Sequence, residues 1–273
     1  MLKKFIFIPV LRVLRTMVLP WNQILVKLFF DRDKLDNFLK KTYPIKTQLD
    51  LIRVGSDNDA GYLIPNDLEE IGLCFSPGVD FSASFEKELF DKYYIKSYLC
   101  DYSVDGPPIK SKGLDFVKKY LGSYEDQVYT TLENWVNANK TDNRDAILQM
   151  DIEGGEYDVI IHTDKDFFKQ FRIIVIEFHN LDQLLTSVGF RTISSVFNKL
   201  LKNFAVVHIH PNNDRRPIKV KGYTIPYVME YTFLRKDRID EFDYERRFPN
   251  PLDMDNYLNR KPLPLPRIFY KTS

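Results

Sequence analysis

From Ile71 onward, short apolar runs alternate with amphipathic stretches, which predicts strands and helices in turn, as in a parallel α/β sheet. Ile71–Ser76 reads as a first strand, and Ser82–Tyr94 as a helix with Phe85, Leu89 and Phe90 on one side. Ile95–Cys100 is a second strand that stops at Asp101. A less regular region follows, with Gly106–Pro107–Pro108 as a loop and Leu114–Leu121 as a short helix. Gln127–Thr130 reads as a third strand and Leu132–Asn139 as a helix. Ile147–Asp151 and Ile173–Phe178 are the fourth and fifth strands. Leu181–Asn203 is largely helical with a break near Gly189, Ala205–His210 is a sixth strand, and Tyr223–Leu234 a long seventh.

The ends of the chain depart from this plan. Before Asp31 there is no acid, while Lys3, Lys4, Arg12, Arg15 and Lys27 are basic and nearly everything else is apolar. Phe5–Val10 is too short to span a bilayer, and Arg12 and Arg15 interrupt any longer run. No small-residue cleavage site follows, which argues against a removed signal peptide. Two readings are open: an anchor in the membrane interface, or an extension packed on its own domain or on a second subunit of a homodimer. The tail from Phe248, with Pro249, Pro251, Pro262, Pro264 and Pro266, cannot be regular helix and reads as an extended arm. The expected division is therefore 1–45, 46–240 and 241–273.

Composition narrows the class only a little. With 39 basic and 38 acidic residues, the chain offers no global charge for binding nucleic acid. Cys74 and Cys100 have no metal-ligand spacing and read as buried thiols in a reducing compartment, which points to the cytoplasm, including the inner face of the cell membrane.

The chemistry gathers where strands end. Leu148–Gln149–Met150–Asp151–Ile152–Glu153–Gly154–Gly155–Glu156 runs from a buried strand into acids and a glycine pair, and ligands of open α/β sheets bind outside such carboxyl ends. The plainer reading is a strand–helix turn with Glu153 and Glu156 at a helix N-terminus. Glu177 and His179, two apart at the end of the next strand, share a face and would join Asp151 in an acid–base or metal-binding cluster. His208 and His210 also share a face, and His210, nearer the strand end, is the better site candidate. At the first strand, Ser76–Pro77–Gly78–Val79–Asp80–Phe81–Ser82 leads into a helix. Ser76, Gly78, Asp80 and Ser82 are thus candidate cofactor contacts, together with Asp151, and with Asp101 on ribose hydroxyls. Ser82 or Ser84 would serve equally as a helix cap. No triphosphate-binding glycine loop exists, so adenosylmethionine or a dinucleotide outranks ATP.

A closing pair of strands after five strand–helix steps matches the sheet of class I S-adenosylmethionine-dependent methyltransferases, whose seventh strand lies antiparallel beside the fifth. The expected fold is that Rossmann-like α/β sheet. Leu148–Glu156 and Val175–Ile176–Glu177–Phe178–His179 resemble motifs of FkbM-like methyltransferases. Arg53–Val54–Gly55 with Asp57–Asn58–Asp59–Ala60–Gly61–Tyr62 is similar to an upstream block of one branch, as are His208–Asn213 and Pro226–Glu230 further on. The resemblance covers about residues 50 to 236. Two departures stand out: the Ser76–Ser82 loop lacks the wider family's Asp-x-Gly-x-Asn-x-Gly form, and Ala60 replaces a glycine. The resemblance implies methyl transfer from S-adenosylmethionine to a hydroxyl of a sugar or glycan-related acceptor.

For that reaction His179 is the first expected base and His210 the second. Asp151 and Glu177 would orient the hydroxyl or, with His179, hold Mg²⁺. Two other classes use the same residues: a metal-dependent phosphoester hydrolase, and a catalytically silent membrane-associated scaffold. The hydrolase leaves Gly78 and Asp101 without a role, and a scaffold has no need of acids at strand ends.

Overall fold

The protein is described by a computed structural model over residues 31–57 and 59–272. The basic segment 1–30, with its membrane-interface and subunit-packing readings, lies outside the described residues.

The chain enters through α1 (Arg32–Lys41), capped by Asp31, and β1 (Ile45–Thr47). A hairpin of β2 (Leu51–Gly55) and β3 (Gly61–Pro65) follows, then β4 (Ile71–Pro77), α2 (Ser84–Tyr93) and β5 (Lys96–Cys100). Next come β6 (Leu114–Val117), β7 (Tyr120–Gly122), β8 (Tyr129–Thr131), α3 (Leu132–Asn139) and β9 (Asp145–Met150). After α4 (Glu156–His162) and β10 (Phe171–Phe178), α5 (Ser187–Leu200) leads to β11 (Phe204–Pro211). The small hairpin β12 (Ile218–Val220) and β13 (Tyr223–Ile225) precedes β14 (Met229–Arg235) and β15 (Phe242–Tyr244).

Seven strands form the central sheet in the order β11-β14-β10-β9-β4-β5-β6. β14 runs antiparallel to both β10 and β11, and the other pairings are parallel. This is the expected Rossmann-like methyltransferase sheet, with the last strand inserted beside the fifth. The central strands are covered on both faces, and every residue of Phe171–Phe178 is buried. One face packs on α1 and α3–α5 through residues such as Phe38, Trp135, Ile160 and Phe197. The other packs on α2 and the β2–β3 hairpin, through Phe85, Leu89, Val54 and Tyr62.

Four expectations are corrected. Leu114–Leu121 is not a helix: Leu114–Val117 extends the sheet as the third strand in chain order, because the open edge of β5 supplies its hydrogen bonds. Residues near Gln127–Thr130 instead pair with Tyr120–Gly122 in a small separate ladder. Tyr223–Leu234 is two strands, interrupted at Pro226, which has no N–H to donate. The break in Leu181–Asn203 falls at Thr186, whose side chain accepts from Gly189 N and caps α5.

The boundaries at 45/46 and 240/241 do not separate packed units. β1 pairs with β15, α1 contributes Leu35, Phe38 and Leu39 to the main core, and Phe269 of the proline-rich arm is fully buried. The arm therefore lies across its own domain. Among the described residues, no helix is long and apolar enough to cross a membrane.

Candidate active site at the carboxyl ends of the central strands

Strand register builds the site. Ile176 is level with Met150 on the parallel neighbour, so Glu177 and Asp151 leave the ladder side by side. On the other flank Glu177 pairs with Glu230, and Glu230 with His210. Four neighbouring strands thus line up Asp151, Glu177, Glu230 and His210.

His179 stands over the first half of that row. Its Nδ1 is 3.1 Å from Glu156 Oε1, which leaves Nε2 3.8 Å from Asp151 Oδ1, 3.8 Å from Glu177 Oε1 and 3.6 Å from Glu153 Oε2. Glu156 is fully buried and its Oε1 also accepts from Ile152 N and Gly154 N, both at 3.1 Å. One carboxylate therefore shapes the motif loop and aims the imidazole. The loop reverses through left-handed backbone at Glu153 (φ 56°) and Gly154 (φ 105°). Tyr157 donates its hydroxyl to the His179 carbonyl at 2.6 Å, and Asn212 Nδ2 donates to Glu177 Oε1 at 2.9 Å.

The electrostatics follow from burial and proximity. Burial, reinforced by Glu156 and Glu153, raises the Asp151 carboxyl to about 7 against the opposing pull of His179. Burial also raises Glu177 well above the usual carboxylate range, with Asp151 and Glu230 adding repulsion. Burial alone would lower His179, but the Glu156 hydrogen bond and the surrounding acids carry it up to about 9. Asp151 Oδ1 and Glu177 Oε2 are buried without a hydrogen-bond partner. One donor atom each from Asp151, Glu177 and His179 lies within 4.8 Å of the others, a spacing suited to a metal ion.

At the neighbouring strand end, Gly78 adopts φ +82°, and a Cβ there would stand 1.5 Å from the Asp151 carbonyl oxygen. The glycine is thus required by the approach of β9. Asp101 holds the same loop: Oδ2 accepts from Val79 N and Asp80 N at 3.1 Å, and Oδ1 from Ser103 N and Oγ at 2.7 Å. These four bonds fill a carboxylate's acceptor capacity, so Asp101 shapes the cradle and a ribose hydroxyl would have to replace Ser103. Ser76 does not reach the surface; its Oγ is buried between Glu86 and Gln149, 2.5 Å from the Gln149 Oε1. Asp80 is exposed at the loop tip and Ser82 is half-buried beside it. Neither Ser82 nor Ser84 caps α2, whose N-cap is Ala83 without a side-chain bond.

The second half of the row carries residues that sequence reasoning missed. The arm delivers Asp253 to His208 Nε2 at 2.9 Å and to His210 Nδ1 at 3.6 Å. It also brings Asn256 Nδ2 to Glu230 Oε1 at 2.9 Å and to Asp59 Oδ1 at 3.3 Å, giving Glu230 its partner. Asp253 and Asn256 sit among prolines with no periodicity to mark them.

A family model for the methyltransferase FkbM domain matches residues 101–192, the span that carries Asp151, Glu156, Glu177 and His179. The FkbM-like resemblance is borne out there, and the chain carries a methyltransferase domain of the kind that uses S-adenosylmethionine. No curated protein matches the chain. Among solved structures, a fibrillarin/Nop5p complex is similar over 61% of this chain and 74% of that chain, at 12% identity and a TM-score of 0.38. A Methanococcus jannaschii fibrillarin pre-rRNA processing protein covers 69% and 83% at 8% identity and 0.37. A 16S rRNA (adenine(1408)-N(1))-methyltransferase from Catenulisporales acidiphilia covers 62% and 90% at 10% identity and 0.32. Likenesses this distant carry no argument about substrate.

Proposed function

We propose that this methyltransferase transfers the methyl group of S-adenosylmethionine to a hydroxyl of a sugar or glycan-related acceptor. The observation that supports this most is the convergence of Asp151, Glu177 and His179 beside the Gly78 loop, with buried carboxylate oxygens left for a polar partner. Bound adenosylmethionine supplies an electrophilic methyl on a sulfonium centre. The protein's part is to hold the loop that receives it, through Asp101, and to place the acceptor hydroxyl in line. It must also take the hydroxyl proton, a contribution of about 10²–10⁴-fold.

We place Asp151 ahead of His179 as the first base: the acids around His179 raise it against burial and favour its protonated form, while burial raises Asp151 toward neutrality. The two titrate as a pair, and the proton goes to that pair through Asp151, with Glu177 accepting from or orienting the hydroxyl. The second candidate base, His210, is engaged by Asp253 and Glu230.

The donor set also fits a divalent cation. One imidazole nitrogen with two carboxylates suits Mn²⁺ better than Mg²⁺, which favours oxygen ligands alone. Glu156 on the far nitrogen of His179 is the outer partner that metal-ligating histidines use. An ion held by Asp151, Glu177 and His179 would supply Lewis-acid charge for the acceptor oxygen in place of Asp151 acting as base.

A phosphoester hydrolase would draw on the same cluster, but the family match favours methyl transfer. The segment 1–30 is proposed to bring the enzyme to an anionic membrane surface at the cytoplasmic face; flotation of the full chain with anionic liposomes at low salt tests this, and recovery only in the soluble fraction would favour the homodimer instead. For the activity, the full chain is incubated with methyl-labelled adenosylmethionine and separated glycan, protein and nucleic-acid fractions. Label is expected in the glycan fraction. Label confined to protein or nucleic acid overturns the acceptor class.

A further inference from the structure

We infer that the C-terminal arm, through Asn256 together with Glu230 and His210, forms a second polar subsite that reads a hydroxyl of the acceptor other than the one methylated. The inference rests on the proposed glycan acceptor and adds a specificity site to it. Glu177, Glu230 and His210 lie level on three adjacent strands, about 4.8 Å from one strand to the next. A single hydroxyl cannot bridge that spacing, but one sugar ring can. The row therefore presents a second contact next to the methyl-transfer cluster, on the same face of the sheet.

Its polar groups are built in and incomplete. Asn256 and His210 are 6% and 8% exposed, yet Asn256 Oδ1 and His210 Nε2 have no hydrogen-bond partner, and neither has Glu177 Oε2. Buried polar atoms in that state are uncommon and costly unless a ligand or water completes them. Amide and carboxylate oxygens accept while an imidazole N–H donates, and a hydroxyl does both.

A purely structural clamp explains only part of the arrangement. Asp253 on His208 and His210, and the reciprocal Asn213–Tyr257 bonds at 2.9 Å, suffice to fasten the arm. Arg260 adds to the fastening by lying 4.3 Å over the Tyr257 ring and bonding Asp214. None of these uses Asn256. That side chain instead bridges Glu230 and the hairpin residue Asp59, across the top of the row.

The chain has four histidines, so imidazole proton resonances give a direct readout. The full chain, saturated with adenosylhomocysteine, is titrated with the methyl α-pyranosides of glucose, galactose, mannose, fucose and rhamnose, each beside its monodeoxy analogues. At least one sugar is expected to move His210 and His179 together and leave the exposed His162 unmoved. Removing one particular hydroxyl should weaken that binding at least about tenfold, as a site built to bond a hydroxyl rejects its deoxy analogue. Asn256→Ala should weaken the parent sugar while leaving adenosylhomocysteine affinity unchanged. The inference is overturned if no pyranoside moves His210, or if every deoxy analogue binds like its parent. Sugar-dependent shifts in a chain that binds no adenosylhomocysteine would count against methyl transfer and leave the subsite standing.

Discussion

Glu156 Oε1 lies 3.1 Å from His179 Nδ1, and that contact decides which imidazole nitrogen faces Asp151 and Glu177. Because the same oxygen holds Ile152 N and Gly154 N, the loop and the histidine are set by one buried group. Glu156→Gln keeps the shape but weakens the acceptor and removes the charge. Methyl transfer should fall at least about tenfold, with adenosylhomocysteine affinity within about threefold of the parent by calorimetry. Equal turnover in the two proteins would show that His179 needs no such support.

Gly78 is predicted to tolerate no side chain. Its positive φ would strain any other residue, and the Asp151 carbonyl occupies the space of a Cβ. Gly78→Ala should lose at least about 2 kcal/mol, within the range that such backbone strain alone can cost. Denaturant unfolding at constant m-value measures it, and an unchanged midpoint would mean that the two strand ends can separate freely.

Asp101 should matter for the cofactor through the loop it holds. Asp101→Ala frees Val79 N and Asp80 N on one side and Ser103 on the other. Adenosylhomocysteine binding should weaken by about 1–3 kcal/mol, the scale of buried polar groups left unpaired. Ser103→Ala removes only the hydroxyl donor to Asp101 Oδ1 and separates direct from indirect roles: it should leave binding nearly intact if Asp101 acts only on the loop, and tighten it if a ribose hydroxyl takes that place.

The clamp of the arm predicts a pH window. Burial opposes it, but the hydrogen bonds and charges of His208 and His210 hold Asp253 well below its ordinary range, while Asp253 and Glu230 raise His210 against burial. The Asp253 contribution is complete above about 3.9 and is lost as pH falls through its lower folded value. The His210 contribution is complete below about 6.5 and is lost as pH rises through its raised folded value. The melting-temperature gap between the parent and Asp253→Asn, in which the pH dependence of buried Asp151 and Glu177 cancels, should therefore hold between those limits and narrow on the alkaline side. A gap that widens through pH 7–9 would contradict the pairing.

The sheet was legible because Ile71–Ser76, Ile147–Leu148, Ile173–Ile176 and Val206–Val207 are β-branched or apolar runs bounded by polar residues. Glu177 and His179 could be placed on one face by strand periodicity alone. Leu114–Val117 was not legible as a strand: four residues carry too little pattern, and the edge of β5 decides their state. The apolar run Tyr223–Leu234 does not show its own break: Pro226 ends one strand because it has no N–H for the ladder, and hydropathy carries no sign of that. Ser76 shows the limit at a site, since its withdrawal into the Glu86–Gln149 pair depends on a helix and a strand distant in sequence. The same limit hid Asp253 and Asn256, whose partners His208, His210 and Glu230 lie on strands the arm meets only in the folded chain.

Asp151 is held near neutrality by burial and faces His179 at 3.8 Å, and methyl transfer is attributed to that pair. Turnover with a methyl-accepting glycan fraction, measured against pH for the parent and Asp151→Asn at saturating adenosylmethionine, tests it most directly. The parent rate should rise through about pH 7, and Asp151→Asn should lose that rise and at least about 10²-fold in turnover, with adenosylhomocysteine affinity kept within about threefold. A folded Asp151→Asn protein that turns over at the parent rate with the same pH profile would contradict the assignment.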